Sequence, residues 1–105
     1  MAKQVEFSYN LDVDTRYRHF HETMKGKVTW YVVQLEVHDE GRWKPVRRYD
    51  CSHDRSHIDE FNRRGERRRL WLDIAYDQAL TQGQQDLQEN WERYRERFRE
   101  GELPA

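Results

Sequence analysis

Val28-Thr29-Trp30-Tyr31-Val32-Val33-Gln34-Leu35-Glu36-Val37-His38 is the stretch from which the rest of this 105-residue chain can be read. Its density of β-branched and aromatic residues favours a pleated strand over a helix. Asp39-Glu40-Gly41 follows as a hairpin turn, with Gly41 suited to a positive φ. Arg42 to Asp50 then returns antiparallel, and Pro45 within it points to an edge position or a bulge. Upstream, Arg16 to Glu22 alternates with a period of two. Tyr17, His19 and His21 fall on one face, Arg18, Phe20 and Glu22 on the other, and Lys25-Gly26-Lys27 supplies the turn that follows. Val5 to Tyr9 reads as a short edge strand within a loosely packed segment, residues 1–14. Downstream, Asp59 to Leu72 forms one more hairpin, turning at Arg63-Arg64-Gly65-Glu66.

The period then changes. From Ile74 to Arg99 the pattern is helical, with Leu80, Leu87, Trp91, Tyr94 and Phe98 along one stripe that should lie across the sheet. Gly83 marks either a close approach to the sheet or a weak point in the helix. Residues 100–105, around Pro104, form a tail. The expectation is a single α+β domain over residues 1–105. Its sheet is an antiparallel β-meander of about four to five strands, packed against a long C-terminal helix.

Composition narrows the class. Hydrophobic residues make up 35% and charged residues 37%, which raises disorder as an alternative; a formal net charge of -1 and 13% aromatic residues argue against it. The core must be thin and aromatic, and pairing into a homodimer would enlarge it. Cys51 is the single cysteine, so no internal disulfide forms and a reducing cytosol fits. No apolar run is long enough to span a bilayer, and residues 1–14 lack the apolar block of a secretory signal. A soluble, cytoplasmic protein with no membrane partner is expected. Arg63, Arg64, Arg67, Arg68 and Arg69 crowd one hairpin; if Arg64, Arg67 and Arg68 share a face they form a phosphate-seeking patch for RNA. The bland alternative is a solvated turn whose arginines pair with nearby carboxylates.

Chemistry concentrates in Arg48-Tyr49-Asp50-Cys51-Ser52-His53-Asp54-Arg55-Ser56-His57-Ile58-Asp59. Metal-independent RNA cleavage needs a base, an acid and a cation for phosphate. His53 and His57 supply the proton carriers and Arg48 the cation, with Asp50 to orient a histidine and Tyr49 as an auxiliary donor. His19 or His21 could approach His53 if the register allows. No metal or other cofactor is favoured; if a metal is held, His53, His57 and Asp59 (or Asp50) are its ligands. The structural alternative makes Asp50 and Ser52 caps of the following turn, Tyr49 sheet core and Cys51 a small buried hydrophobe. Trp30 and Trp43 lie on neighbouring strands; one facing outward could stack on a base, but core positions are favoured.

Gly41-Arg42-Trp43, Arg48-Tyr49-Asp50, His53, His57, Asp59, Gly65 and the stretch Asp86 to Phe98 together resemble, in order and spacing, a group of small, mostly uncharacterised prokaryotic proteins. The Arg-Tyr-Asp segment with histidines nearby is more loosely similar to TumE-like toxins of toxin–antitoxin modules, a resemblance that implies action on RNA and an antitoxin or other small protein partner. The expected function is thus an RNA-cleaving, toxin-like protein. The alternatives are a non-catalytic protein- or nucleic-acid-binding module and a His/Asp metal-binding protein.

Overall fold

The computed structural model describes residues 1–102. Strands β1 (Ala2–Asp12), β2 (Thr15–Met24), β3 (Lys27–Asp39), β4 (Arg42–Asp50), β5 (His57–Phe61) and β6 (Arg67–Trp71) are followed by helix α1 (Tyr76–Glu100). The six strands form one antiparallel sheet in sequence order. The α+β class is therefore as expected, with one strand more than the upper expectation. That strand count rises because β1 is a full partner of β2 rather than a short fragment: Ala2 pairs with Met24 and Asn10 with Arg16. Of the expected tail, Glu100 is instead the last helical residue, and residues 103–105, Pro104 among them, lie outside the described residues.

Tight turns enforce the meander. Lys25 and Gly26 both take positive φ, 52° and 78°, and so do Glu40 and Gly41, 52° and 80°. Two successive left-handed residues match the right-handed twist of the flanking strands. Pro45 sits beside a bulge, where Leu35 pairs with Arg47 but Glu36 pairs with Pro45, so Val46 is the extra residue. At the β5–β6 turn, the buried Asn62 accepts the N–H groups of Arg64 (3.1 Å) and Glu66 (3.0 Å) through Oδ1. Its Nδ2 donates to Gly101 O at 3.0 Å, tying this hairpin to the end of α1.

The helix lies across β3 and β4. Its buried stripe of Ala79, Leu80, Gly83, Leu87, Tyr94 and Phe98 meets Tyr17, Tyr31, Val33, Leu35, Val37, Tyr49 and Ile58 from the sheet. Each buried Val, Leu, Ile or Phe among them contributes about 1.5–3 kcal/mol. Gly83 is the point of closest approach: a Cβ there would stand 2.8 Å from Tyr49 Cγ and 2.9 Å from Val33 Cγ2. The helix ends at Gly101, whose φ of 81° lets Glu102 N–H reach back to Arg97 O at 3.2 Å.

One polar cluster interrupts this apolar layer. Asp86 accepts from Tyr49 Oη (2.6 Å), Tyr94 Oη (2.7 Å), Asn90 Nδ2 (2.8 Å) and Arg47 Nε (3.0 Å). Arg47 also pairs with Glu60 and lies 4.4 Å above the Tyr94 ring. The cluster fixes the helix against β4 and β5, and among the described residues no helix lies over the opposite sheet face.

Candidate functional site

Strand alternation decides which residues share the helix-free face. On β4 and β5, Asp50 pairs with His57 and Arg48 with Asp59, while on β6 Trp71 stands opposite His57 and Arg69 opposite Asp59. All six residues point to the helix-free face. Tyr49 alternates to the other face and spends its hydroxyl on Asp86. It is thus separated by the sheet from His57 and is not brought into the expected constellation.

At the centre is a buried triad. His57 is 0% exposed, Asp59 1% and Asp50 6%. His57 Nδ1 donates to Arg55 O at 3.1 Å, since a carbonyl can only accept. Its Nε2 stands 2.8 Å from Asp50 Oδ1 and 3.7 Å from Asp59 Oδ2. Neither approach is aligned as a hydrogen bond, and Nε2 has no hydrogen-bond partner among the described residues.

The two carboxylates are otherwise anchored. Asp50 Oδ1 accepts Ser52 N (3.0 Å) and Ser52 Oγ (2.9 Å), an Asx-type contact that spans Cys51. Asp59 takes a bidentate grip from Arg69, with Nε at 2.8 Å and Nη2 at 3.1 Å. Burial acts to raise the Asp59 carboxyl, but the guanidinium outweighs it and holds that group below the ordinary carboxylate range.

Trp71, cross-strand from His57, packs against the histidine of the triad. Its ring centroid is 5.3 Å from that of His57, edge-on, and the guanidinium groups of Arg55 and Arg69 lie 4.8 and 5.4 Å from the same indole. His53 stands beside this assembly on an exposed 3-10 turn, Ser52–Asp54, its ring centroid 6.1 Å from that of His57. Both His53 and Asp54 hold positive φ, 72° and 58°, so the turn is strained. Arg48 is half-buried nearby, donating to Gln34 Oε1 at 2.5 Å and lying 5.3 Å from the Phe61 ring.

Other expectations change once the register is fixed. His19 and His21 lie on the helix side, where His19 Nε2 and His21 Nδ1 are 2.6 Å apart and His19 Nδ1 meets Tyr17 Oη at 2.8 Å. They therefore do not approach His53. The arginine hairpin is split by the pleat: Arg67 and Arg69 face outward, Arg68 points to the opposite side, and Arg64 curls onto Glu66 and Gly101 O. Arg64, Arg67 and Arg68 do not form one patch. Trp30 and Trp43, favoured as core, both occupy the helix-free face instead. Trp30 is 42% exposed, and Trp43 carries the Arg16 guanidinium 4.2 Å above its ring. Cys51 is buried as expected, its Sγ 3.4 Å from Tyr31 N, and burial pushes its thiol pKa up.

Seen whole, the helix-free face interleaves aromatic and cationic side chains. Phe20, Trp30, Trp43, Phe61 and Trp71 alternate with Arg16, Arg18, Arg48, Arg67 and Arg69 across β2 to β6. Glu36 is engaged by Arg16 (2.5 Å) and Arg18 (3.5 Å). A trough of about 470 Å³ runs over β1 to β3, lined by Arg18, Phe20, Val32 and Gln34 among others. Arg18 and Phe20 share the face that the alternation of β2 predicts for them, and Arg16 lies on it too.

A family model described as a domain of unknown function (DUF7718) matches residues 1–103, and the chain belongs to that family. No curated protein and no solved structure matches it.

Proposed function

We propose that this DUF7718 protein binds single-stranded RNA on the helix-free face of its sheet. The observation that carries the reading is the interleaving of Trp30, Phe20, Phe61 and Trp71 with Arg18, Arg48, Arg67 and Arg69 on a face that no helix covers. Aromatic faces stack on unpaired bases and guanidinium groups hold phosphates, a combination that suits single strands better than duplexes. With a formal net charge of -1 the protein has little long-range attraction for nucleic acid. Stacking, not charge, would then supply most of the affinity.

RNA cleavage by His53 and His57 is the narrower reading, and the placement of His57 weighs against it. A proton carrier must reach within hydrogen-bond distance of the 2′-hydroxyl or the leaving oxygen. His57 is 0% exposed, with Trp71 packed against its ring, so it would touch RNA only after its neighbours moved.

The test is fluorescence anisotropy with a labelled single-stranded RNA of mixed sequence, repeated with its duplex. Stacking contributes about 1–3 kcal/mol per base, so Trp30→Ala should weaken binding about five- to 150-fold. Arg67→Ala should flatten the salt dependence by about one phosphate contact. A single strand that produces no change in anisotropy even at low salt, or Trp30→Ala with unaltered affinity, would refute the proposal.

A further inference from the structure

We propose that Asp50, His57 and Asp59 hold a divalent transition-metal ion of the zinc or manganese class, buried beside Trp71. The orientation of the imidazole comes first. His57 Nδ1 donates to Arg55 O, so in the neutral ring the lone pair sits on Nε2. That arrangement, one ring nitrogen tied to a backbone carbonyl and the other left open, is how metal-ligating histidines are held.

Electrostatics comes second. Nε2 and Asp50 Oδ1, two atoms that both serve as metal ligands, stand 2.8 Å apart with no hydrogen bond between them, an approach that a shared cation accounts for. A proton on Nε2 would not point at Asp50, because the pair is misaligned for hydrogen bonding and Nε2 is unpartnered. An ion set off that line, within reach of Asp59 Oδ2 as well, satisfies all three groups together. Their ligand atoms lie within 4.8 Å of one another. Metal–ligand bonds of about 2.0–2.2 Å in a tetrahedral arrangement place neighbouring ligand atoms about 3.3 Å apart. The observed 2.8 and 3.7 Å bracket that value.

Two other groups compete for the same oxygens. Ser52 N and Oγ already donate to Asp50 Oδ1, and Arg69 already grips Asp59. A carboxylate has about four lone-pair sites, so each can ligate while keeping these bonds, much as ligating carboxylates are commonly hydrogen-bonded. Arg69 lowers the affinity by its charge and fixes the Asp59 carboxylate in place. One nitrogen and two oxygens suit zinc or manganese better than a soft, thiolate-seeking ion. His53, on its strained turn 6.1 Å from His57 between ring centroids, is the adjacent residue able to complete the coordination.

Isothermal titration of chelator-stripped protein with zinc chloride, then manganese chloride, tests the site. One equivalent should bind and raise the melting temperature. Asp59→Asn and His57→Gln should each weaken binding by more than about tenfold, whereas His21→Ala, on the opposite face, should leave it unchanged. Should His57→Gln fail to fold, the ¹⁵N shift of His57 Nε2 in the intact protein gives a second readout, moving on metal addition while Nδ1 stays bonded. Saturation without heat, without a melting shift and without movement of that resonance would overturn the site. So would binding that His21→Ala abolishes and Asp59→Asn retains. RNA binding is scored on metal-free protein, so the two proposals fail separately.

Discussion

Replacing Asp86 by asparagine should destabilise the fold by about 3 kcal/mol and remove part of its acid sensitivity. Asp86 is the shared acceptor for Tyr49, Tyr94, Asn90 and Arg47, at 2.6 to 3.0 Å. Asparagine keeps the shape but withdraws the charge and turns one acceptor into a donor that faces other donors. Removing one partner of a buried ion pair costs about 3–5 kcal/mol. Arg47 still has Glu60, so the lower end applies. For a domain of this size the loss corresponds to a fall of roughly 10–20 °C in Tm.

The pH dependence of that loss has a definite sign. Burial acts to raise the Asp86 carboxyl, but the hydrogen bonds from Tyr49 and Tyr94 and the charge of Arg47 together hold it below the ordinary value of 3.8. A depressed carboxylate contributes stability that is complete above its unfolded value and is lost as pH falls through its folded value. Urea unfolding from neutral to acid pH should therefore show the wild-type advantage at neutrality shrinking below about pH 4. A variant within about 0.5 kcal/mol of wild type, or one with the same acid slope, would refute the reasoning.

Gly83→Ala pits two effects against each other. Helix propensity gains about 1 kcal/mol, while overpacking against Tyr49 and Val33 costs about 1–3 kcal/mol. A lower midpoint in urea is expected, and a higher one would mean that the helix can shift off the sheet. Burial and the neighbouring His21 push His19 down to about 4. Its imidazole should stay neutral in an NMR titration through the range where an ordinary histidine protonates. Since the unfolded chain takes up that proton near 6.5, stability should fall as pH drops from there toward 4, and His19→Gln should lessen the fall.

Much of the fold was legible because the pattern is local. Val28 to His38 announced β3, the Lys25-Gly26 and Glu40-Gly41 pairs announced their turns, and Pro45 announced the bulge. β1 was underread because its side chains are exposed on both sides, which weakens the alternation that marks a half-buried strand. At the site, Asp50, His57 and Asp59 were visible as a cluster, yet their burial was not. Burial depends on Trp71, which arrives from β6, and on which way the β4 pleat falls. Tyr17, His19 and His21 share a face as their alternation predicts, but which face α1 covers, and hence their separation from His53, is not local information: a one-residue change of register moves a side chain through the sheet. The outward placement of Trp30 and Trp43 ran against the usual preference of tryptophan for the interior. It follows from α1 covering the opposite face.

The strict meander order has a consequence for synthesis. Each strand pairs with the one just made, so the sheet can be assembled hairpin by hairpin as the chain leaves the ribosome. The layer that completes the core is made only after all six strands. Until α1 emerges, Tyr17, Tyr31, Val33, Leu35 and Tyr49 line a bare apolar floor. A nascent or prematurely terminated chain that stops before Tyr76 presents that floor to any hydrophobic surface nearby, so the C-terminal helix acts as the clasp that turns an adhesive sheet into a finished protein.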